Sequence, residues 1–321
     1  MKLHQDKKTF KDLMEATAQS LGIPTVFIEK DYWVTYVLKR LSISDYRETV
    51  IFKGGTSLSK AYKIIYRFSE DIDLAIITKN INGNTLKRLI KRTEKALVDE
   101  NFQEIDSPQT SKGSKFRKTV HQYPKITEGD FGHANENLVL ELNSFAQPYP
   151  FLNKAISSYI YDFLNTQSDE AKQLIFDFQL EPFEINVLDY KRTFCEKISA
   201  IARASFENDE ENSQLKEKIR HFYDIYYLMQ EDEIKNFIRN KEIAKMISDV
   251  RNDDKMQFGL EWTNIKLHST NIFNQVEILD ELNSYYNNIF KPLVYSKLLP
   301  SIQDIKTNLQ KLSKILQERD L

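Results

Sequence analysis

The stretch Ile51-Phe52-Lys53-Gly54-Gly55-Thr56-Ser57-Leu58-Ser59-Lys60, followed by Arg67-Phe68-Ser69-Glu70-Asp71-Ile72-Asp73-Leu74, decides the fold. Val50, Ile51 and Phe52 read as a short buried strand, the glycine pair breaks it, and residues 57–66 (SLSKAYKIIY) have helical spacing. The glycines therefore sit at a strand-to-helix turn. In such a turn the first helical N–H groups lack partners, small residues admit a phosphate, and the helix dipole favours its charge. Residues 71–77 return as a strand with Asp71 and Asp73 on one face and Ile72 and Leu74 on the other. Two carboxylates on one strand face repel and cost desolvation, so the pair calls for a bridging cation. Oxygen-only ligands beside a phosphate cradle suit Mg²⁺ or Mn²⁺. A glycine pair alone reads as a plain turn and an Asp-x-Asp alone as an exposed edge, but together they describe a nucleoside triphosphate (NTP) site.

This pairing resembles the nucleotidyltransferase superfamily of the DNA polymerase β type. The fuller wording, FKGGTSLSKAY then RFSEDIDL, resembles the AbiEii/AbiGii toxin family, the transferase half of abortive-infection and toxin–antitoxin pairs. IEKDYWVTYVL at 28–38 extends the match, as do RTFCEKISAI at 192–201 and RHFYDIYYL at 220–228. The gap from Thr56 to Asp71 exceeds that of minimal superfamily members by about one turn of ~3.6 residues, which is expected to lengthen the helix without changing its facing.

The resemblance implies an α+β fold: a polymerase β-type core, with a small mixed sheet flanked by helices, and a C-terminal helical-bundle lobe. Residues 1–190 would form the nucleotidyltransferase domain, and 191–321 a bundle completing the nucleotide site. It implies a metal-dependent transfer of a nucleoside monophosphate from NTP to RNA, in relatives a tRNA 3′ end, and a cognate antitoxin protein as partner. Asp71 and Asp73 carry over as catalytic metal ligands, with Glu141 of Leu140-Glu141-Leu142 as the third; a structural salt bridge is the other reading of Glu141, and Glu136 and Glu184 are weaker candidates. Gly54, Gly55, Thr56 and Ser57 would hold the β,γ-phosphates. Lys197 and Asp224 would flank the nucleotide, with Arg220 and His221 less securely placed; read from spacing alone, these are equally i,i+4 surface pairs. A phosphate on Ser69, two residues before Asp71, would add about -1.5 to -2 charge beside the acids and block metal or NTP binding. A non-catalytic NTP-binding module acting by protein contact is the alternative from another functional class.

The remaining sequence bounds this reading. A length of 321 residues suggests two lobes, and a net charge of -2 confines any RNA contact to a local patch. The one cysteine, Cys195, excludes a disulfide framework and reads as buried filler. No apolar run approaches membrane-spanning length, so a cytoplasmic protein without membrane contact is expected. Two helices are expected within 8–41, broken at Leu21-Gly22-Ile23-Pro24, with Glu29, Lys30 and Asp31 either lining the site or facing water. Asn80 to Asn84 reads as a turn, and residues 85–99 as a helix carrying Lys87, Arg88, Lys91, Arg92 and Lys95. Residues 111–125 hold five basic residues and no acid, and read as a strand that either holds RNA backbone or is a lysine-guarded edge. Strands are also expected at 137–145 and 183–188. Helices follow at 193–206, 214–229, 241–252, 273–291 and 300–318, with an acidic linker at 207–212. Lys60 and Arg67 either touch phosphate or face water.

Overall fold

The computed structural model describes residues 1–69, 71–78, 81, 83–132, 134–206, 212–258, 262–295 and 299–321. Most of the expected linker at 207–212, and Asn80 and Asn82 of the expected turn, lie outside them. The chain forms two compact units, Met1–Lys63 with Phe68–Leu188, and Ile64–Arg67 with Asp189–Leu321. The first carries all the strands described below and is called the sheet unit; the second is the helical unit.

In the sheet unit, helices α1 (Lys7–Leu21) and α2 (Thr25–Ser42) precede strand β1 (Val50–Lys53), helix α3 (Gly54–Lys60) and strand β2 (Asp71–Ile76). Helix α4 (Gly83–Leu97) follows, then strands β3 (Gln103–Ile105), β4 (Ser111–Lys112), β5 (Phe116–Gln122), β6 (Leu138–Asn143) and β7 (Phe151–Ile156). Helices α5 (Tyr159–Leu164) and α6 (Asp169–Asp177) and strand β8 (Phe183–Leu188) complete it. The strands form one mixed sheet of order β3-β5-β6-β2-β1-β8-β7, with β4 also on β5. β1/β8 and β2/β6 run parallel, whereas β1/β2, β5/β6 and β7/β8 are antiparallel. α2 packs on β6 and β8, and α4 on β5 and β6. The covered face supplies the core: Ile72, Leu74, Leu140 and Leu142 are each 0% exposed, and burying each contributes about 1.5–3 kcal/mol.

Glu29, Lys30 and Asp31 of α2 neither line the site nor face water. All three are buried; Glu29 and Lys30 tie loops to the helix, and Asp31 ties it to α3 and to the start of α5. Glu29 accepts from Ile126 N (2.8 Å), Thr127 N (3.0 Å) and the Thr127 hydroxyl. Lys30 donates to the Asn135 carbonyl. Asp31 accepts from Lys60 Nζ at 2.5 Å and from Tyr159 N at 2.9 Å. Lys60 is thus an internal cation, not a phosphate contact. Glu29→Ala would leave two loop N–H groups without acceptors, and urea unfolding is expected to show a loss of about 2 kcal/mol.

The helix expected over 57–66 stops at Lys60. Lys63 turns left-handed at φ 57°, and Ile64–Arg67 belongs to the helical unit. There Arg67 bridges Val294, and Tyr295 N donates to Tyr66 O at 3.1 Å. The extra residues between Thr56 and Asp71 therefore form this excursion, not a longer helix.

The helical unit contains α7 (Tyr190–Phe206), α8 (Ser213–Glu217), α9 (Ile219–Leu228), α10 (Asp232–Arg239) and α11 (Glu242–Phe258). α7 packs on α9 and α11, and the last helix, Ile302–Glu318, packs on α9 through its buried stripe Ile305, Leu309, Leu312 and Leu316. The helix expected over 214–229 breaks at Lys218. The one expected over 273–291 is a chain of short turns, among them Asn271–Asn274, Ile278–Glu281 and Tyr286–Phe290. Among the described residues no helix is long and apolar enough to cross a membrane.

Candidate active site

Register builds the candidate site on the sheet face opposite α2 and α4. Lys53 of β1 stands opposite Asp73 of β2, Asp73 opposite Glu141 of β6, and Glu141 opposite Lys118 of β5. Residues paired across strands point to the same side, so these four form one row of charges, + − − +. Asp71 lies two residues from Asp73 and shares the face. All five side chains are half-buried, whereas Ile72, Leu74, Leu140 and Leu142 on the other face are buried. Burial and the nearby charge of Asp71 push the Glu141 carboxyl up, against the opposing pull of Lys118 and Lys53. Lys118 Nζ lies 3.9 Å from Glu141 Oε2.

Gly54 closes the site from the side. Its φ is +77°, and a Cβ placed there would fall 2.0 Å from Asp73 Oδ2 and 3.0 Å from Asp73 Cβ. The bend is thus pressed against the acid strand, where only glycine fits. No side chain caps the start of α3. Thr56 and Ser57 are buried and use their hydroxyls inside the protein: Thr56 Oγ1 donates to the Asp71 carbonyl at 2.5 Å and lies 2.9 Å from Ser69 Oγ, and Ser57 Oγ donates to Gly54 O at 2.8 Å. Towards a phosphate this segment offers backbone rather than hydroxyls.

Among the described residues, no three His, Cys, Asp or Glu side chains stand as a ready metal cluster. The chemistry of the face nevertheless suits a hard divalent cation. Its donors are carboxylates on adjoining strands, and added positive charge would counter the burial, and the lesser effect of the Asp71 charge, that push Glu141 up. Asp71, Asp73 and Glu141 would hold the ion. Glu184 is exposed on β8, opposite Ala155, and Glu136 pairs with Lys125 at 2.9 Å.

In the helical unit the sequence-marked residues converge on a buried ion cluster. Arg67 grips Asp224 with two bonds, Nε to Oδ1 and Nη2 to Oδ2, both 2.7 Å. Lys197 Nζ lies 2.8 Å from Asp224 Oδ2 and 3.2 Å from His221 Nδ1. Arg67, Lys197 and Asp224 are all buried. Burial alone would raise Asp224, but Arg67 and Lys197 overcome it and hold the carboxyl well below the usual range. Burial and the Lys197 charge push His221 well below its ordinary value, so its ring is neutral and Nδ1 accepts from Lys197. Among the described residues, Arg67 and Lys197 share the Asp224 carboxylate. Of the three Lys197 ammonium donors, Asp224 and His221 take two. Arg220 is half-buried on α9 beside this cluster's His221.

Sequence reasoning missed Lys53, Lys118 and the role of Arg67. Alternation along β5 puts Lys118 on one face, but that this is the acid face depends on register. Arg67 meets Asp224 across 157 residues of chain, and no local signal encodes that pairing.

A glycine bend pressed on an acid-bearing strand, in a mixed sheet backed by helices, accords with the nucleotidyltransferase class that the family match gives. More narrowly, the chain belongs to the AbiEii family of nucleotidyl transferase toxins of type IV toxin–antitoxin systems, whose family model matches residues 36–308. No curated protein matches the sequence significantly. Among solved structures, the chain is similar to MenT4, a nucleotidyltransferase toxin of Mycobacterium tuberculosis, at 13% identity and a TM-score of 0.49, covering 95% of this chain and 97% of that one. It is also similar to JHP933 of Helicobacter pylori, at 15% identity and a TM-score of 0.45, covering 91% and 92%.

Proposed function

We propose that the chain is a divalent-metal-dependent NTP:RNA nucleotidyltransferase, acting as the toxin of a pair with a cognate antitoxin and taking a tRNA 3′ end as acceptor. The observation that carries this is the row Lys53–Asp73–Glu141–Lys118 with Gly54 pressed against Asp73. In the reaction the acceptor hydroxyl oxygen bonds to the α-phosphorus, the bond to the β-phosphate oxygen breaks, pyrophosphate leaves with the electron pair, and the hydroxyl proton passes to water. Divalent ions, when bound, acidify the hydroxyl and neutralise the leaving group.

The chain's own groups do the rest. Asp71, Asp73 and Glu141 gather negative charge on one face, and Lys53 and Lys118 keep that face folded while it is empty of cations. Gly54 lets the backbone approach. Asp224 is a poor proton acceptor, being held far below the usual carboxylate range with both oxygens engaged. Its role is to orient Lys197, whose ammonium group suits an anionic phosphate oxygen.

The test is incubation with each α-³²P-labelled NTP, Mg²⁺ and total tRNA. Label should enter RNA with the parent, and not with Asp71→Ala or Asp73→Ala. NTP binding by the parent without any transfer would replace this reading with that of a non-catalytic module.

A further inference from the structure

The outer face of α4 is not used by the reading above. Its five cations, Lys87, Arg88, Lys91, Arg92 and Lys95, are all exposed, and its acid, Glu94, is buried beneath them. None of the five forms an ion pair among the described residues. The arrangement places like charges at i,i+4 three times (87/91, 88/92, 91/95), each destabilising the helix by about 0.2–0.5 kcal/mol. The first turn contains no acid to offset the dipole. A chain of net charge -2 gains nothing in folding from such a face.

Beside it runs a cleft of about 570 Å³ between α4 and β5, lined by Lys91, Lys95, Lys112, Arg117 and His121 and by the acids Glu94, Asp99 and Glu104. Arg117 and Thr119 both reach Glu94, Thr119 Oγ1 at 2.6 Å from Glu94 Oε1. Thr119 therefore gives its proton to Glu94, and its oxygen, 2.9 Å from His121 Nε2, must accept from that nitrogen. The proton on Nε2 leaves Nδ1 as a bare acceptor. Nδ1 is buried and has no partner among the described residues, in a side chain 2% exposed. On the cleft wall Lys112 and Arg117 are paired with Glu104 and Glu94, which leaves Lys91 and Lys95 of α4 as the cations that face a phosphate there.

We propose that the outer face of α4 and the adjoining cleft form an RNA-backbone binding surface, distinct from the acid face of the sheet. The inference rests on the reading of RNA as acceptor. An acidic protein is the competing partner. None of the large exposed apolar side chains lies on α4 or β3–β5, so a protein would find no anchor there, whereas a polyphosphate backbone needs none.

The test is fluorescence anisotropy of a short single-stranded oligoribonucleotide across a salt series, with the parent and the triple variant Arg88→Gln/Arg92→Gln/Lys95→Gln. Three lost contacts should lower the slope of log K against log salt by about 2 and weaken low-salt binding at least about tenfold. NTP binding should be unchanged and the melting temperature equal or higher. Lys311→Gln/Lys314→Gln, on the exposed side of the last helix, should leave the slope as in the parent. An unaltered slope in the triple variant overturns the proposal. So does a parent that binds no RNA, or polyglutamate binding that is lost in the variant while RNA binding persists. RNA binding of the expected kind without label transfer would overturn the transferase reading alone.

Discussion

Asp224→Ala is expected to cost about 3–5 kcal/mol of unfolding free energy, the largest stability loss of any single substitution considered. Arg67 and Lys197 would be left buried with no carboxylate between them. The loss comes from stranded charge rather than from the missing bonds, so Asp224→Asn should recover little. A double substitution removing cation and anion together, Arg67→Met/Asp224→Leu, should be markedly more stable than Asp224→Ala. Urea unfolding of the variants checks the order. A cost below about 1 kcal/mol for Asp224→Ala would mean that water reaches the cluster.

The same cluster fixes a pH dependence. Asp224 is depressed in the fold, so its contribution is complete above the ordinary carboxylate value of about 3.9 and is lost as pH falls through the depressed folded value. His221 acts in the same direction. Its folded value is lowered, so the unfolded chain takes up a proton first, and stability falls as pH drops below about 6.5. Asp224→Asn should be less stable than the parent at neutral pH, and the gap should narrow between about pH 5 and pH 3. A constant gap across that range would show that Asp224 does not titrate with folding.

What the sequence reveals of this molecule follows the range of its signals. Alternation is local, so β2, β5, β6 and β8 were readable, as was the shared face of Asp71 and Asp73, whereas Glu141 was singled out through the family resemblance and its place beside Asp73 depends on register. β7 was not readable, because an edge strand with the burial pattern of Phe151–Ile156, mostly half-exposed or exposed, lacks an apolar period. The spacing of Leu58, Ala61, Tyr62 and Ile65 looks helical, yet the chain leaves the helix at Lys60. The partners of Tyr66 and Arg67, at Asp224, Val294 and Tyr295, lie more than 150 residues away and outweigh local preference. Three consecutive charges at Glu29, Lys30 and Asp31 read as site lining or as surface, and not as buried ties, for the same reason: the segments they bind are remote in sequence. The acids of the site were legible, but their lysine counter-charges depend on register, which pairs Lys53 and Lys118 with them across strands.

Gly54→Ala should reduce transfer by about 100-fold or more, since displacement of a catalytic group by ~1 Å can have that effect. Two effects combine. A left-handed φ of +77° costs an L-residue about 1–2 kcal/mol. The new methyl would also sit 2.0 Å from Asp73 Oδ2, 2.9 Å from its Cγ and 3.0 Å from its Cβ. The last of these atoms is fixed by the β1 and β6 ladders, so turning the carboxylate aside does not fully clear the space, and whichever atom yields moves the acid from its place beside Glu141. A double-mutant cycle separates the two effects. In an Asp73→Ala background the clashes with Oδ2 and Cγ are gone and the backbone strain and the 3.0 Å approach to Cβ remain, so Gly54→Ala should destabilise less there than in the parent. Equal costs in both backgrounds would show that the bend and the acid strand are not in contact. Retained transfer in Gly54→Ala would show that the reaction does not depend on how closely they approach.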